Sequence, residues 1–487
     1  MKRHQLESFP VIAETNISVL RAAGDKVYKT KRPRTFPFVD QKSLTDRQRL
    51  CHQEYSLNRR FSPDVYLGVE DITDGRDIVD AAVVMRRMPA EHSLTRLLET
   101  GVDVEECVKD VARQMAIYHQ TATRSAHISE AGTFRAVQEL WRLSLQEMEA
   151  FVPSVLDPSV FREVSTRSAQ YLAGRRDLFD FRVGLGLIVD GHGDLLADDI
   201  YCLEDGPRLL DCLEFDERFR FGDVLLDLAF LAMDLKRLGH AHLANVFVDE
   251  YVDLAGEHHP TSLIHHYVSY RALVRCKVQC YRAQSAVVGT AQQAGLLLAL
   301  AANSLSLGEV RLIMIGGLPG TGKTTVAEMM SAHCSWTVLS SDAIRREIAG
   351  VPAADQAYGE GTHEPAVTKL TYETLLRRAK AALSLGESVI LDASFADEAW
   401  RAAARELANQ TQAVPVELCC VAHAAVTNQR ISRRRQHAAP HQEPLSDATP
   451  AIAATMAEHF SLWPTAVVLD TTGSKPVTLA KALSTFT

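Results

Sequence analysis

The sequence predicts a multidomain α/β protein: a parallel-sheet α/β domain in the C-terminal part, preceded by a two-lobed α+β domain. Three observations predict this. From Arg311 onward, short apolar runs bounded by turn residues alternate with helical segments, the pattern of a parallel sheet covered by helices. Residues 263–305 read as long helices, and a short polar link, Ser306–Glu309, separates them from the first apolar run. Up to about Met88 short strand-like pieces surround one helix, and from about Val102 the pattern is mostly helical. The 487 residues are enough for two to four domains, at roughly 100–200 residues each. The boundaries expected are 1–305 and 311–487.

In the first lobe the strand candidates are Lys26–Thr30 and Ala81–Met85, with a helix near Thr45–Asn58. Turn-rich segments with clustered acids interrupt the helical part near Leu187–Phe215. In the C-terminal domain the strand candidates are Arg311–Gly316, Thr337–Ser340, Ser388–Asp392, Val416–Val421 and Ala466–Asp470.

Apolar residues make up 46% and charged residues 23%, which excludes a disordered or fibrous chain. A net charge of −9 means the chain as a whole is not built to cling to phosphate backbones, although a local basic patch still can. The N-terminus lacks the apolar core of a signal peptide. The most apolar helical run, around Ala294–Ala302, falls short of the roughly 20 residues a membrane span needs. The expected location is the cytoplasm, with no membrane partner. Nine cysteines are scattered without a CxxC pair, so buried free thiols in a reducing compartment are expected, and no zinc site.

The segment GGLPGTGKTT contains Gly317-x-x-x-x-Gly322-Lys323-Thr324, between an apolar strand and a helical run. That is the context a Walker A phosphate loop requires. Gly317, Pro319, Gly320, Thr321 and Gly322 supply a backbone that can curl around phosphate oxygens with its N–H groups pointing inward. The helix that opens at Lys323, Thr324 and Thr325 adds a partial positive charge. Lys323 reaches the β- and γ-phosphates, and the Thr324 hydroxyl ligates Mg²⁺. Asp392, closing an apolar strand, is expected to hold the same metal through water. Asp342 lies where a strand end meets a helix, the edge at which parallel sheets bind ligands. It can accept a proton from an attacking hydroxyl, and Arg345, one turn on, can grip an anionic acceptor. Arg430, Arg433 and Arg434 share one helix face, as a lid over a transferring phosphoryl group would. Together these motifs resemble the small P-loop kinases, the group of zeta toxins, polynucleotide 5′-kinases and gluconate-type kinases, over residues 311–487. The resemblance implies ATP-dependent phosphorylation of a hydroxyl, with Asp342 as the base.

Farther upstream, Ile188-Val-Asp-Gly-His192-Gly193-Asp194-Leu195 leads to Asp199, then to Leu209-Leu210-Asp211-Cys-Leu-Glu214, and then to Asp223 and Asp227. Acids set between apolar stretches in this way point to a metal–phosphate site. With Lys29 and Glu54, the segment resembles the aminoglycoside phosphotransferase-like fold, a relative of the protein kinases, over approximately residues 10–300. The resemblance implies Asp194 as catalytic base and Asp199 and Asp211 as metal ligands. It implies Lys29 on the α/β-phosphates, oriented by an ion pair with Glu54. Where that family has HGDLHxxN, this chain has HGDLLADD. Leu196 replaces a histidine and Asp199 an asparagine; Asp still suits a hard cation but adds negative charge near ATP.

The expectation is a bifunctional ATP- and Mg²⁺-dependent phosphotransferase acting on a small hydroxylated molecule. Two alternatives stay open. Leu196 and Asp199 motivate an N-terminal pseudokinase that senses a ligand and regulates the C-terminal kinase. Arg345 and the Arg430–Arg435 cluster motivate a toxin-type kinase acting on a polynucleotide or a nucleotide sugar.

Overall fold

Alternation with a period of two builds the first sheet. In the strand Asp77–Arg86, Ala81, Val83 and Met85 enter a core shared with Val27, Cys51 and Tyr66, whereas Ala82 and Val84 enter a second core with Leu6, Tyr28 and Ile72. Burial on both faces explains why this stretch reads as a continuous apolar run. The order is Val11–Glu14, Ser18–Ala23, Lys26–Lys31, Asp77–Arg86, Tyr66–Asp74, with every pairing antiparallel. On Lys26–Lys31 the same period places Val27, Lys29 and Lys31 on one face. The computed structural model describes residues 1–487 except 16, 37–38, 286, 350–363, 437–449 and 487, and leaves out the side chains of 36, 349, 434–436 and 450–452.

The helix Leu44–Asn58 packs on that sheet. Ser43 caps it by accepting from the Asp46 N–H at 3.0 Å. Its buried face is Arg47, Leu50, Cys51, Glu54 and Asn58, spaced three and four apart. Three of these five are polar, so the helix shows little amphipathic pattern although it is well packed.

The helical lobe contains Glu105–Thr121, Phe134–Met148, Val224–Arg237, Ala241–Ala255, most of Thr261–Gln284, and Thr290–Leu307. Val224–Arg237 is buried all round from Val224 to Leu235, including Asp227 and Asp234. Two short antiparallel ribbons lie before it, Ile188–Asp190 with Phe221–Asp223 and Ile200–Leu203 with Gly206–Leu209. They frame the loops that carry the clustered acids.

One expectation is overturned here. The cysteines are not all free: Cys107, on the helix Glu105–Thr121, and Cys202, on the strand Ile200–Leu203, form a disulfide across 95 residues of sequence. Tertiary folding brings a helix and a ribbon together, which no short cysteine spacing reveals. Cys51, Cys212, Cys276, Cys280, Cys334, Cys419 and Cys420 are free thiols.

The chain divides into two compact units. The first comprises Met1–Ser165, Phe179–His259 and Ile264–Leu305; the second comprises Thr166–Leu178, Pro260–Leu263 and Ser306–Thr487. The second unit thus takes two segments from far upstream. Within it, Arg175 donates to Thr411 O at 2.6 Å and Ser262 Oγ to Gly386 O at 2.8 Å.

The sheet of the second unit is parallel throughout, in the order Thr337–Ser340, Val389–Asp392, Arg311–Gly316, Val414–Val421, Val467–Asp470. The first strand in sequence is central and wholly buried. Ile313, Ile315, Ile390, Leu418 and Leu469 build one core with Val326, Ala327 and Met330 of the helix Lys323–Cys334. That helix therefore starts at the carboxyl end of the central strand, where the phosphate loop is. Among the described residues no helix is long and apolar enough to cross a membrane.

Candidate functional site

The phosphate loop follows directly from the central strand. Gly317 has φ 132°, and a Cβ there would stand 2.3 Å from Cys420 O. Gly320 has φ 78°, and its Cβ would meet Thr427 O at 2.9 Å. Both the backbone conformation and the space therefore require glycine. The Gly317 N–H donates to Ser394 O at 3.0 Å, tying the loop to the turn after Val389–Asp392. Lys323 Nζ bends over the loop and donates to Leu318 O at 3.1 Å. Thr324 Oγ1 donates to Asp392 Oδ2 at 2.7 Å. Burial pushes the Asp392 carboxyl up; Lys323 and Thr324 oppose the rise, and nearby Asp342 adds to it. Pro319 and Thr325 are half-buried in the same loop and helix start, and Thr321 is buried, its backbone oxygen accepting from Thr471 Oγ1 at 2.5 Å.

Asp342 sits in the first turn of Ser341–Ala349, and Arg345 Nη1 donates to its Oδ1 at 3.1 Å. Arg345 Nε is buried and has no hydrogen-bond partner among the described residues. Arg430 is not a free lid residue. Its guanidinium donates to Thr471 O at 2.7 Å, to Thr471 Oγ1 at 3.1 Å and to Gly320 O at 3.4 Å, so it braces the phosphate loop. Arg433 is on an exposed side of the same helix, and the Arg434 side chain lies outside the described residues.

Two further residues, Tyr372 and Arg401, brace the turn that follows Val389–Asp392. The Tyr372 hydroxyl accepts from the Phe395 N–H at 3.0 Å, lies 3.2 Å from Ser394 Oγ, and its ring stacks on Trp400 at 4.8 Å. Arg401 is fully buried and donates to the carbonyls of Phe395, Ala396, Ser461 and Leu462. Only tertiary contact reveals these roles.

In the first unit, Lys29 Nζ lies 2.8 Å from Glu54 Oε1 and 2.5 Å from Asp211 Oδ1. Burial alone would lower the pKa of Lys29, but Asp211 and Glu54 outweigh it and hold the lysine charged. A second lysine was not foreseen. Lys31, two residues on and on the same face, is fully buried; its Nζ pairs with Glu54 Oε2 at 2.5 Å and with Glu214. The charges thus run Asp211, Lys29, Glu54, Lys31, Glu214. Lys31 follows from the strand period once Lys29 is placed, and Glu214 was visible in the acid cluster; only the fold joins them.

Asp194, Asp199 and Asp211 come together at the ribbons. Burial, then the field of Asp211, pushes Asp199 well above the usual carboxylate range, with Asp194 adding to the rise. Asp194 is pushed up to about 6 by burial, with Arg275 opposing. Asp211 keeps 47% of its side-chain exposure; desolvation still raises its pKa, but Lys29 outweighs that and draws it down. Asp223 and Asp227 do other work. Asp223 pairs with buried Arg182. Asp227 accepts from the His192 N–H at 2.7 Å, the Gly193 N–H at 2.8 Å and His119 Nε2 at 3.1 Å. It is the internal anchor of the loop that presents Asp194. An acid inside the apolar run of Val224–Arg237 was the available signal.

Among the described residues no three His, Cys, Asp or Glu side chains form a ready-made metal site. Mg²⁺ is ordinarily held by one or two carboxylates with phosphate oxygens and water. Thr324 with Asp392, and Asp199 with Asp211, are hard-oxygen donor sets of that kind, so both sites fit the ion.

The chain is 36% identical over 480 residues to the uncharacterized protein Rv2004c of Mycobacterium tuberculosis, an alignment covering 98% of this chain and 95% of that one. This chain belongs to the Rv2004c family. The uncharacterized protein Mb2027c of Mycobacterium bovis matches over the same lengths at the same identity. A family model described as an AAA domain matches residues 312–463, the phosphate-loop region. Among solved structures, a gluconokinase from Sinorhizobium meliloti is 20% identical, covering 36% of this chain and 91% of that one, at TM-score 0.25. A choline kinase from Cryptosporidium parvum is 10% identical, covering 61% of this chain and 88% of that one, at TM-score 0.41. The two-lobed kinase-like fold of the first unit and the P-loop fold of the second rest on their own topology and motifs, and the family joins them in one chain.

Proposed function

We propose that this protein is an ATP- and Mg²⁺-dependent phosphotransferase with two sites, each phosphorylating a hydroxyl of a small molecule. The observation that carries the reading is the convergence of Thr324 on Asp392 beneath a glycine loop over which Lys323 is folded. Lys323 exchanges its contact with Leu318 O for phosphate oxygens, and the loop amides with the helix N-terminus hold the rest of the triphosphate. Mg²⁺, when bound, offsets charge on the phosphates. Asp342 takes the proton of the attacking hydroxyl, and Arg345, whose Nε has no partner among the described residues, is available to an anionic acceptor. Arg430 acts on the loop rather than as a swinging finger.

In the first unit Lys29 binds the nucleotide phosphates, Glu54 aims it, and Asp194 removes the acceptor proton. A carboxyl with a pKa of about 6 is matched to a base working near neutral pH. A second reading is supported by Leu196 and Asp199: a first unit that binds nucleotide without turnover.

The test is γ-phosphate transfer from ATP to sugars, nucleosides, aminoglycosides and 5′-hydroxyl oligonucleotides. Wild type is compared with Lys323→Ala and Asp194→Ala. Each variant should lose one separable activity. Full transfer by both variants overturns the proposal, and nucleotide binding without turnover at the first site selects the second reading.

A further inference from the structure

The helix Thr261–Gln284 sends two arginines, one turn apart, toward Asp194. The fields of both act on that carboxylate, Arg275 the larger and Arg271 the smaller. Arg271 is committed to the protein: its Nε donates to Leu226 O at 3.0 Å, and its guanidinium stacks 3.9 Å over the Phe230 ring. Arg275 is not. Its Nη1 stands 4.0 Å from Asp194 Oδ1, it makes no hydrogen bond among the described residues, and its side chain keeps 29% of its exposure. Its five N–H donors are available beside the group that removes the acceptor proton. Lys29, by contrast, is held by Glu54 and Asp211. The cation nearest the base is therefore distinct from the one assigned to the nucleotide. A positively charged acceptor would have to sit against two guanidinium groups, whereas a phosphate or carboxylate would meet the fork geometry that arginine presents to such anions.

We propose that the hydroxyl acceptor of the first unit carries an anionic group, phosphate or carboxylate, and that Arg275 binds it. The inference rests on the phosphotransfer reading of that site. The acceptor oxygen forms a bond to the γ-phosphorus as the bond from that phosphorus to the β,γ-bridging oxygen breaks. The electron pair leaves with ADP and the hydroxyl proton passes to Asp194. Arg275 holds the acceptor's anion so that the hydroxyl lies beside Asp194.

The experiment uses the full chain with Lys323→Ala, so that only the first site turns over. Phosphate transfer from ATP is measured to matched hydroxylated compounds: glycerate and glycerol 3-phosphate (anionic), glycerol (neutral), and choline (cationic), with hexose phosphates against free hexoses as a second set. The expected result is transfer to anionic members, lost on adding Asp194→Ala. Adding Arg275→Ala should raise the acceptor KM about 10- to 100-fold, the loss of a charge-assisted hydrogen bond. Neither kcat nor the ATP KM should move more than a few-fold, and Arg275→Lys should recover part of the loss. Preference for neutral or cationic compounds overturns the inference while leaving the phosphotransfer reading in place. So does an Arg275→Ala loss confined to kcat and equal for every acceptor, which would put Arg275 on the transferring phosphoryl group. If nucleotide binds but no compound is phosphorylated, the phosphotransfer reading fails and the inference falls with it.

Discussion

Replacing Lys31 by methionine tests whether the charge chain at the first site is a working unit. Lys31 and Glu54 are fully buried and Glu214 nearly so. Lys31→Met leaves Glu214 without its ion-pair partner and Glu54 with Lys29 alone. Breaking a buried pair on one side costs about 3–5 kcal/mol, because a charge is left uncompensated. With a urea m-value of about 3 kcal/mol/M, the first unit's midpoint should fall by about 1 M or more. Burial already pushes the Glu214 carboxyl above its ordinary value, with Lys31 opposing; without Lys31 it rises further. A carboxyl whose folded pKa exceeds its unfolded one favours the protonated folded state. The deficit of Lys31→Met is therefore largest at neutral pH and shrinks as pH falls toward 5. Lys31→Met/Glu214→Leu removes both ends of the broken pair and should recover most of the loss, down to about 1–2 kcal/mol. Urea unfolding of the four members of the cycle, at pH 7 and pH 5.5, is the assay. A single-variant cost below about 1 kcal/mol, or a double variant no better than the single, refutes the reasoning.

Three further outcomes are expected. Reducing the Cys107–Cys202 bond, or Cys202→Ser, should destabilise the first unit, with about 4–5 kcal/mol as the upper bound for a loop of 95 residues; a urea midpoint insensitive to dithiothreitol would count against the bridge. Burial depresses His192 to about 4 and His266 to about 3, so between pH 6.5 and 4 the unfolded chain binds more protons. Stability should thus fall with pH through that window, by at most about 2 kcal/mol per histidine at pH 5, and a flat urea midpoint from pH 7 to 5 would contradict it. Gly317→Ala places a Cβ 2.3 Å from Cys420 O in a left-handed backbone, so calorimetry in a Lys29→Ala background should show ATP binding at the second unit lost; retained affinity there would disprove the loop's role.

Much of the second unit was legible because its signals are local. A glycine loop between an apolar strand and a helix is contiguous chemistry, and the strand at Arg311–Gly316 reads from its own residues. Asp392 could be chosen because a strand end must place it beside the loop. The contacts of Arg430 were not legible, for the opposite reason. Its spacing put it on a helix face, but spacing does not show that Thr471 and the carbonyl of Gly320 occupy its donors.

The sequence by itself determined the alternation that makes a parallel sheet and the phosphate loop that follows its first strand. Each depends on residues adjacent in the chain, or on a period that a strand or helix imposes. Tertiary structure alone decided that Lys31 and Glu214 extend the charge chain, that Asp227 anchors the loop of Asp194, and that Cys107 meets Cys202. It also decided that Arg275 stands beside the base. The physical reason is that an ion pair, a buried anchor or a disulfide depends on distance in space, and for side chains far apart in sequence that distance exists only once the helices and ribbons have packed.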